Sequence, residues 1–117
     1  MNITRDFLEA TYHVINVPEI DYSYLEVRPR VHCVDGFSIS IQASKSHYCD
    51  PRDDLEGGEY RMVELGFPSE PDELITPYAE SEHDLTGTVY GFVPTYIVNE
   101  LLYKHGGIKL NQSWGMK

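Results

Sequence analysis

The chain has 117 residues, 41% of them hydrophobic, and a formal net charge of −10. That length suits one domain with its own core, and the apolar content excludes a wholly disordered chain. The acidity argues against direct nucleic-acid binding, which needs a basic surface, and no run of about 18 apolar residues offers a membrane span. The N-terminus lacks the apolar core of a secretion signal, so the expected location is cytoplasmic.

Residues 1–23 read as an N-terminal extension or a short helix. Phe7, Leu8, Tyr12 and Ile15 have the spacing of an amphipathic helix, which is expected up to about Tyr12. The stretch from Thr11 to Ile15 is also rich in strand formers, and Pro18 ends whichever element precedes it.

Residues 27–43 predict a β-hairpin whose register follows from its apolar positions. A two-residue Asp35-Gly36 turn would mix Arg30 and His32 with Ile39 and Ile41 on one face. A three-residue Val34-Asp35-Gly36 loop, with Gly36 left-handed, pairs Cys33 with Phe37 and Val31 with Ile39. This register collects Val27, Val31, Cys33, Phe37, Ile39, Ile41 and Ala43 on one face. Arg28, Arg30, His32, Ser38, Ser40, Gln42 and Ser44 take the other, so the longer loop is favoured. Pro29 removes a ladder donor, which makes the first strand an edge or breaks it locally.

A third strand is expected over 60–67 and a fourth over 88–93. Between them, Leu74, Ile75 and Tyr78 tuck an acidic, turn-rich connection onto the core. The clearest helix spans 94–105, with Pro94 at its first position and Ile97, Val98, Leu101, Leu102 and His105 in one stripe. Gly106-Gly107 stops it, and Ile108 supplies the apolar contact of a Schellman-type ending. The expected fold class is therefore α+β: a small antiparallel sheet with a C-terminal amphipathic helix packed on one face, in a single domain over 1–117.

Four metal-ligand types, His32, Cys33, His47 and Cys49, lie close in sequence. Adjacent strand residues point to opposite faces, so His32 and Cys33 do not converge; His47 and Cys49, two apart in an extended segment, could join Asp50 or His83 on a metal, but buried or loop roles are favoured and neither a metal nor another cofactor is expected. A disulfide is opposed too: eight strand residues separate the cysteines by roughly 25 Å, against the ~7 Å between Cα atoms that a bridge allows.

The 44–52 segment offers hydroxyls, a cation, an imidazole and a thiol together, but no catalytic motif surrounds it, and no catalytic residue is assigned. Arg28, Arg30, His32, His47 and Arg52 are candidate ligand-binding residues, with Arg28 and Arg30 side by side as a phosphate or carboxylate clamp. The bland reading is an exposed sheet face. Two acidic clusters stand out, one over 50–59 and one over 70–84, the second without lysine or arginine. Asp53, Asp54, Glu56, Glu70, Asp72 and Glu73 are the candidate partner-binding residues, expected to be solvated and to sum their fields on neighbouring loops. Nine tyrosines exceed what a core of this size needs and favour an interface.

The runs at 34–44, 47–52, 63–69 and 89–94, which include Asp35-Gly36-Phe37, Cys49-Asp50-Pro51-Arg52 and Tyr90-Gly91-Phe92-Val93-Pro94, resemble small uncharacterised bacteriophage-encoded proteins. The similarity covers roughly residues 30–108, and the segment before Arg28 is an extension relative to that pattern. It implies no residue roles, only a context: an accessory protein in the cytoplasm of an infected bacterium that acts by binding a host protein. With the acidity, this leads to an expected non-enzymatic binder of a host protein with a basic surface, in a defence or nucleic-acid-handling system. The alternative is a small enzyme or nucleotide- or phosphate-binding domain using the 44–52 segment and the Arg28, Arg30 and His32 face.

Overall fold

The computed structural model describes residues 2–15 and 28–109. Strands β1 (Val31–His32), β2 (Ser38–Gln42), β3 (Met62–Gly66) and β4 (Val89–Pro94) form an antiparallel sheet in chain order. Helices α1 (Ile3–Ala10) and α2 (Tyr12–Ile15) precede the sheet, and α3 (Thr95–Lys104) follows β4 directly. A 3-10 turn, Thr76–Tyr78, lies within the β3–β4 connection. The architecture is α+β, as the apolar pattern requires.

The hairpin adopts the longer-loop register. Val31 faces Ile39 and His32 faces Ser38, while the Cys33 N–H donates to the Phe37 carbonyl at 2.8 Å. Gly36 sits at φ +100, a conformation open to glycine without a Cβ penalty. Val31, Cys33, Phe37, Ile39, Ile41 and Ala43 are all buried, so the apolar face is continuous. Val27, its remaining expected member, lies outside the described residues, as do Pro18, Tyr22 and Tyr24. β1 is an edge strand that starts two residues beyond Pro29, where the ladder no longer needs the missing donor.

The cover for that face is α3, whose Val98, Leu101 and Leu102 are fully buried among the sheet residues. Burial of each such side chain contributes about 1.5–3 kcal/mol. Pro94 caps the helix rather than opening it. At the far end the Gly107 N–H reaches the Leu102 carbonyl at 2.8 Å and the Gly106 N–H reaches that of Tyr103 at 3.0 Å, the paired bonds of a Schellman ending. The chain then turns along β1: Ile108 bridges Cys33, and the Lys109 N–H donates to the His32 carbonyl, which protects the open edge.

α1 is capped by Asn2, whose side chain accepts the Arg5 N–H, and it buries Phe7 and Leu8. It docks on α3 through Thr4, whose N–H and hydroxyl both donate to Asn99 Oδ1. Its other flank lies on Gly58 (φ +69), where a Cβ would come 2.7 Å from the Arg5 carbonyl oxygen.

β3 carries the chain from one end of the sheet to the other, so the connections flanking it open at opposite ends. The 50–59 acidic cluster lies at one end with α1, and the 70–84 cluster lies at the other with the hairpin turn and the end of α3. The expectation that the two clusters share neighbouring loops is therefore corrected. A five-residue strand separates them by about 15 Å, beyond the ~8 Å over which exposed charges act at physiological salt.

Candidate functional site

At the hairpin-turn end, His105 closes α3 and aims its imidazole between two carboxylates from distant parts of the chain. Nδ1 lies 2.7 Å from Asp35 Oδ2 and Nε2 lies 2.9 Å from Asp72 Oδ2. The ring stacks on Phe37, with centroids 4.0 Å apart and planes 8° from parallel. Burial alone would lower the imidazole pKa, but hydrogen bonds to Asp35 and Asp72 outweigh it and raise the pKa above the ordinary value. Asp72 is driven up by burial, yet the Leu74 N–H and the bonds from His105 and Lys104 bring it below the usual carboxylate range. Asp35 is lowered mainly by the Phe37 N–H and then by the His105 bond. Lys104 completes the cluster with Nζ at 3.1 Å from Asp72 Oδ1.

Asp72 is therefore not the solvated loop carboxylate that its acidic neighbours suggest. Its side chain is 4% exposed, and both oxygens are engaged, so it is unavailable to a partner. Its backbone carbonyl also accepts from Ile75, Thr76 N–H and the Thr76 hydroxyl, which organises the chain that follows. Asp72 thus acts as a joint holding the connection to α3.

Beyond that joint, Glu73, Thr76, Pro77, Ala79, Glu80 and Glu82 line an open cavity of about 410 Å³. Glu70, Glu73, Glu80, Glu82 and Asp84 are exposed, and no ion pair joins any of them to another described residue. The 50–59 cluster is different. Asp50 pairs with Arg61 at 2.8 Å and Glu59 with Arg5 at 3.8 Å, while Asp54 accepts the Lys45 N–H and Asp53 the Asp54 N–H. Glu56 is exposed. Of the six candidate partner-binding residues, Glu70 and Glu73 stand at the uncompensated end, and Asp53, Asp54 and Glu56 at the other end.

The candidate ligand residues do not form one site. Arg28 precedes β1, so strand alternation does not govern it, and it is buried instead of standing beside Arg30. Its guanidinium donates to Thr11 Oγ1 at 2.8 Å, to Leu8 O at 3.3 Å and to the Ala43 carbonyl, tying α1 to the end of β2. Its backbone is clasped by the Gln42 side chain, which accepts from the Arg28 N–H and donates to the Arg28 carbonyl. Arg30 is spread across Ser38 and the Phe67 carbonyl. His32 is exposed on the edge strand. Arg52 lies over the Tyr48 ring, 5.4 Å from its centroid.

His47 is half-buried, and its Nδ1 lies 2.7 Å from the Ser44 hydroxyl, which also accepts the Ser46 N–H. The contact therefore closes a local turn. Burial lowers the His47 pKa. Cys49 is a buried free thiol pushed up by burial, as is Cys33, which reaches about 11. Among the described residues no three His, Cys, Asp or Glu side chains converge as metal ligands, and no helix is long and apolar enough to cross a membrane.

Phe67 and Phe92 are exposed at φ +51 and +53, a backbone region uncommon for bulky residues, with Phe92 at the β3–β4 bulge against Tyr48. Tyr96 and Tyr103 are exposed on α3, whereas Tyr60 and Tyr90 are buried, so the tyrosines divide between core and surface. No protein-family model matches the chain, and no curated protein or solved structure is significantly similar to it.

Proposed function

We propose that this chain is a binding protein whose Glu73–Glu82 end docks a basic segment of a partner protein. The observation that carries the reading is the open cavity of about 410 Å³ lined by Glu73, Glu80 and Glu82, carboxylates without an ion pair among the described residues. Exposed carboxylates around a concavity are complementary to lysine and arginine, and arginine gains most because its planar fork pairs two oxygens at once. Pro77 and Ala79 offer apolar contact to the stem of such a side chain. The bacteriophage resemblance makes the partner a host protein in an infected bacterial cytoplasm.

The test is a pull-down from bacterial lysate with the wild-type chain and with the Glu73→Lys, Glu80→Lys, Glu82→Lys triple variant. The wild type should retain a stoichiometric protein that salt releases, and the variant should lose it. Equal retention by both, or no capture from several hosts, overturns the proposal. The ligand-binding alternative has one observation in favour, the Ser44–His47 contact, but its arginine pair is dispersed. A thermal-shift screen with nucleotides and phosphate tests it, since a bound ligand would raise the melting temperature.

A further inference from the structure

We propose that His105 is a proton-sensitive latch: with its proton it ties both Asp35 and Asp72 to α3, and without it it keeps Asp72 and releases Asp35 to solvent, adding a carboxylate to the acidic end.

Only the imidazolium has two N–H groups, and both ring nitrogens sit at hydrogen-bond distance from carboxylates, 2.7 Å from Asp35 and 2.9 Å from Asp72. A neutral ring keeps one N–H and turns a lone pair towards the other carboxylate, so one of the two contacts becomes repulsive. Burial decides which. The Asp72 side chain is 4% exposed and that of Asp35 is 48% exposed, so Asp35 can rehydrate where Asp72 cannot. Each carboxylate also accepts one backbone N–H, Asp72 from Leu74 and Asp35 from Phe37, but Asp72 alone has a second cation, Lys104.

Several charged or titratable groups face this cluster among the described residues. The hairpin turn contributes Asp35, with the Cys33 thiol close enough to feel its charge. The β3–β4 connection contributes Asp72, and α3 contributes Lys104 beside His105 itself. The charges of Asp35, Asp72, Lys104 and His105 cancel while His105 is protonated and leave one net negative when it is not. Phe37, stacked on the ring, holds the imidazole in place in either state. The hairpin turn keeps its backbone ties from Val34 and Asp35 to Gly107 and His105, so opening moves a side chain and not a strand. The consequence for binding rests on the proposed docking of a basic segment: association with a cationic partner tightens as His105 loses its proton, and by linkage the partner lowers the His105 pKa.

The decisive experiment is an NMR titration of the full chain, following the His105 ring, the Phe37 amide bonded to Asp35 and the Leu74 amide bonded to Asp72. The Phe37 amide should shift with the His105 midpoint while the Leu74 amide stays. The reverse pattern, or no response in either, overturns the latch. In Asp35→Asn, the His105 midpoint should move to lower pH because a charged acceptor is lost, and an unmoved midpoint also overturns it. A hexa-arginine peptide, whose charge is constant over this range, then reads the consequence for binding. Its affinity should rise through the His105 midpoint in the wild type and stay level in His105→Gln. No peptide binding at any pH, with the NMR step intact, counts against the docking reading alone. Binding that ignores pH overturns the gating.

Discussion

Replacing Asp72 by alanine should destabilise the fold by about 3 kcal/mol, a large effect for a residue in an acidic run. Its carboxylate accepts the Leu74 N–H at 3.0 Å, Lys104 Nζ at 3.1 Å and His105 Nε2 at 2.9 Å, all with the side chain 4% exposed. Hydrogen bonds to a charged group contribute about 1.5–3 kcal/mol each when buried. Lys104 is 46% exposed and regains water when its partner goes, so its share is at most about 1 kcal/mol. His105 keeps Asp35, which limits the loss on that side to one bond. With the Leu74 and His105 bonds taken at the low end of that range, the sum is about 3 kcal/mol, the lower end of the ~3–5 kcal/mol for breaking a buried pair. At about 4 °C per kcal/mol for a chain of this size, the melting temperature should fall by roughly 12 °C. Urea denaturation followed by circular dichroism measures the difference, with Asp72→Asn as an intermediate case that keeps an acceptor and loses the charge. Glu70→Ala and Glu73→Ala should stay within about 0.5 kcal/mol of the wild type. An Asp72→Ala protein as stable as those two would refute the buried-joint account.

Other expectations follow from the same packing. Gly58→Ala should cost about 2 kcal/mol or more, because its Cβ meets Arg5 O at 2.7 Å and Glu9 N at 2.9 Å and φ is +69; an unchanged urea midpoint would contradict the docking of α1. Cys33 and Cys49 should resist a thiol-specific reagent at pH 8 until urea unfolds the chain, since both are buried and their pKa values are raised; fast labelling of the native protein would contradict their placement. The stability difference between wild type and His105→Gln should be largest between about pH 4 and 6.5. His105, raised, contributes fully below its unfolded value and loses that contribution as pH rises through its folded one. Asp72, lowered, contributes above its unfolded value and loses it as pH falls through the folded one. Denaturation midpoints across pH 3–9 for both proteins check the window, and a difference that grows on the alkaline side would reverse the assignment.

The sequence carried the hairpin and α3 because their signals are local. Period-two alternation around Asp35-Gly36 leaves one register with a clean apolar face, and the Gly106-Gly107 stop follows from backbone conformation alone. Asp72 was illegible for the opposite reason: its partner His105 is 33 residues away, and Asp35 is 70 from His105. A signal was present nonetheless. His105 falls on the core-facing stripe of α3, and an imidazole there needs polar partners, for which a turn aspartate and a connection aspartate are the natural donors of negative charge. Arg28 departs from the expected face because the period-two alternation that would place it beside Arg30 holds only within a strand, and β1 begins at Val31. The two acidic clusters were separated by the topology of β3 itself, since a strand delivers its flanking loops to opposite ends of a sheet.

The proposed role of the Glu73, Glu80 and Glu82 end is to recruit a basic partner. It is tested most directly by the association rate of the captured partner, measured against ionic strength, for the wild type and the Glu73→Lys, Glu80→Lys, Glu82→Lys variant, beside their melting curves. The wild-type rate should fall steeply with salt, and the variant should associate at least about ten-fold more slowly at low salt with little salt dependence and an unchanged melting curve. Equal rates with equal salt dependence in two equally stable proteins would contradict the claim and leave these carboxylates as solubilising charge.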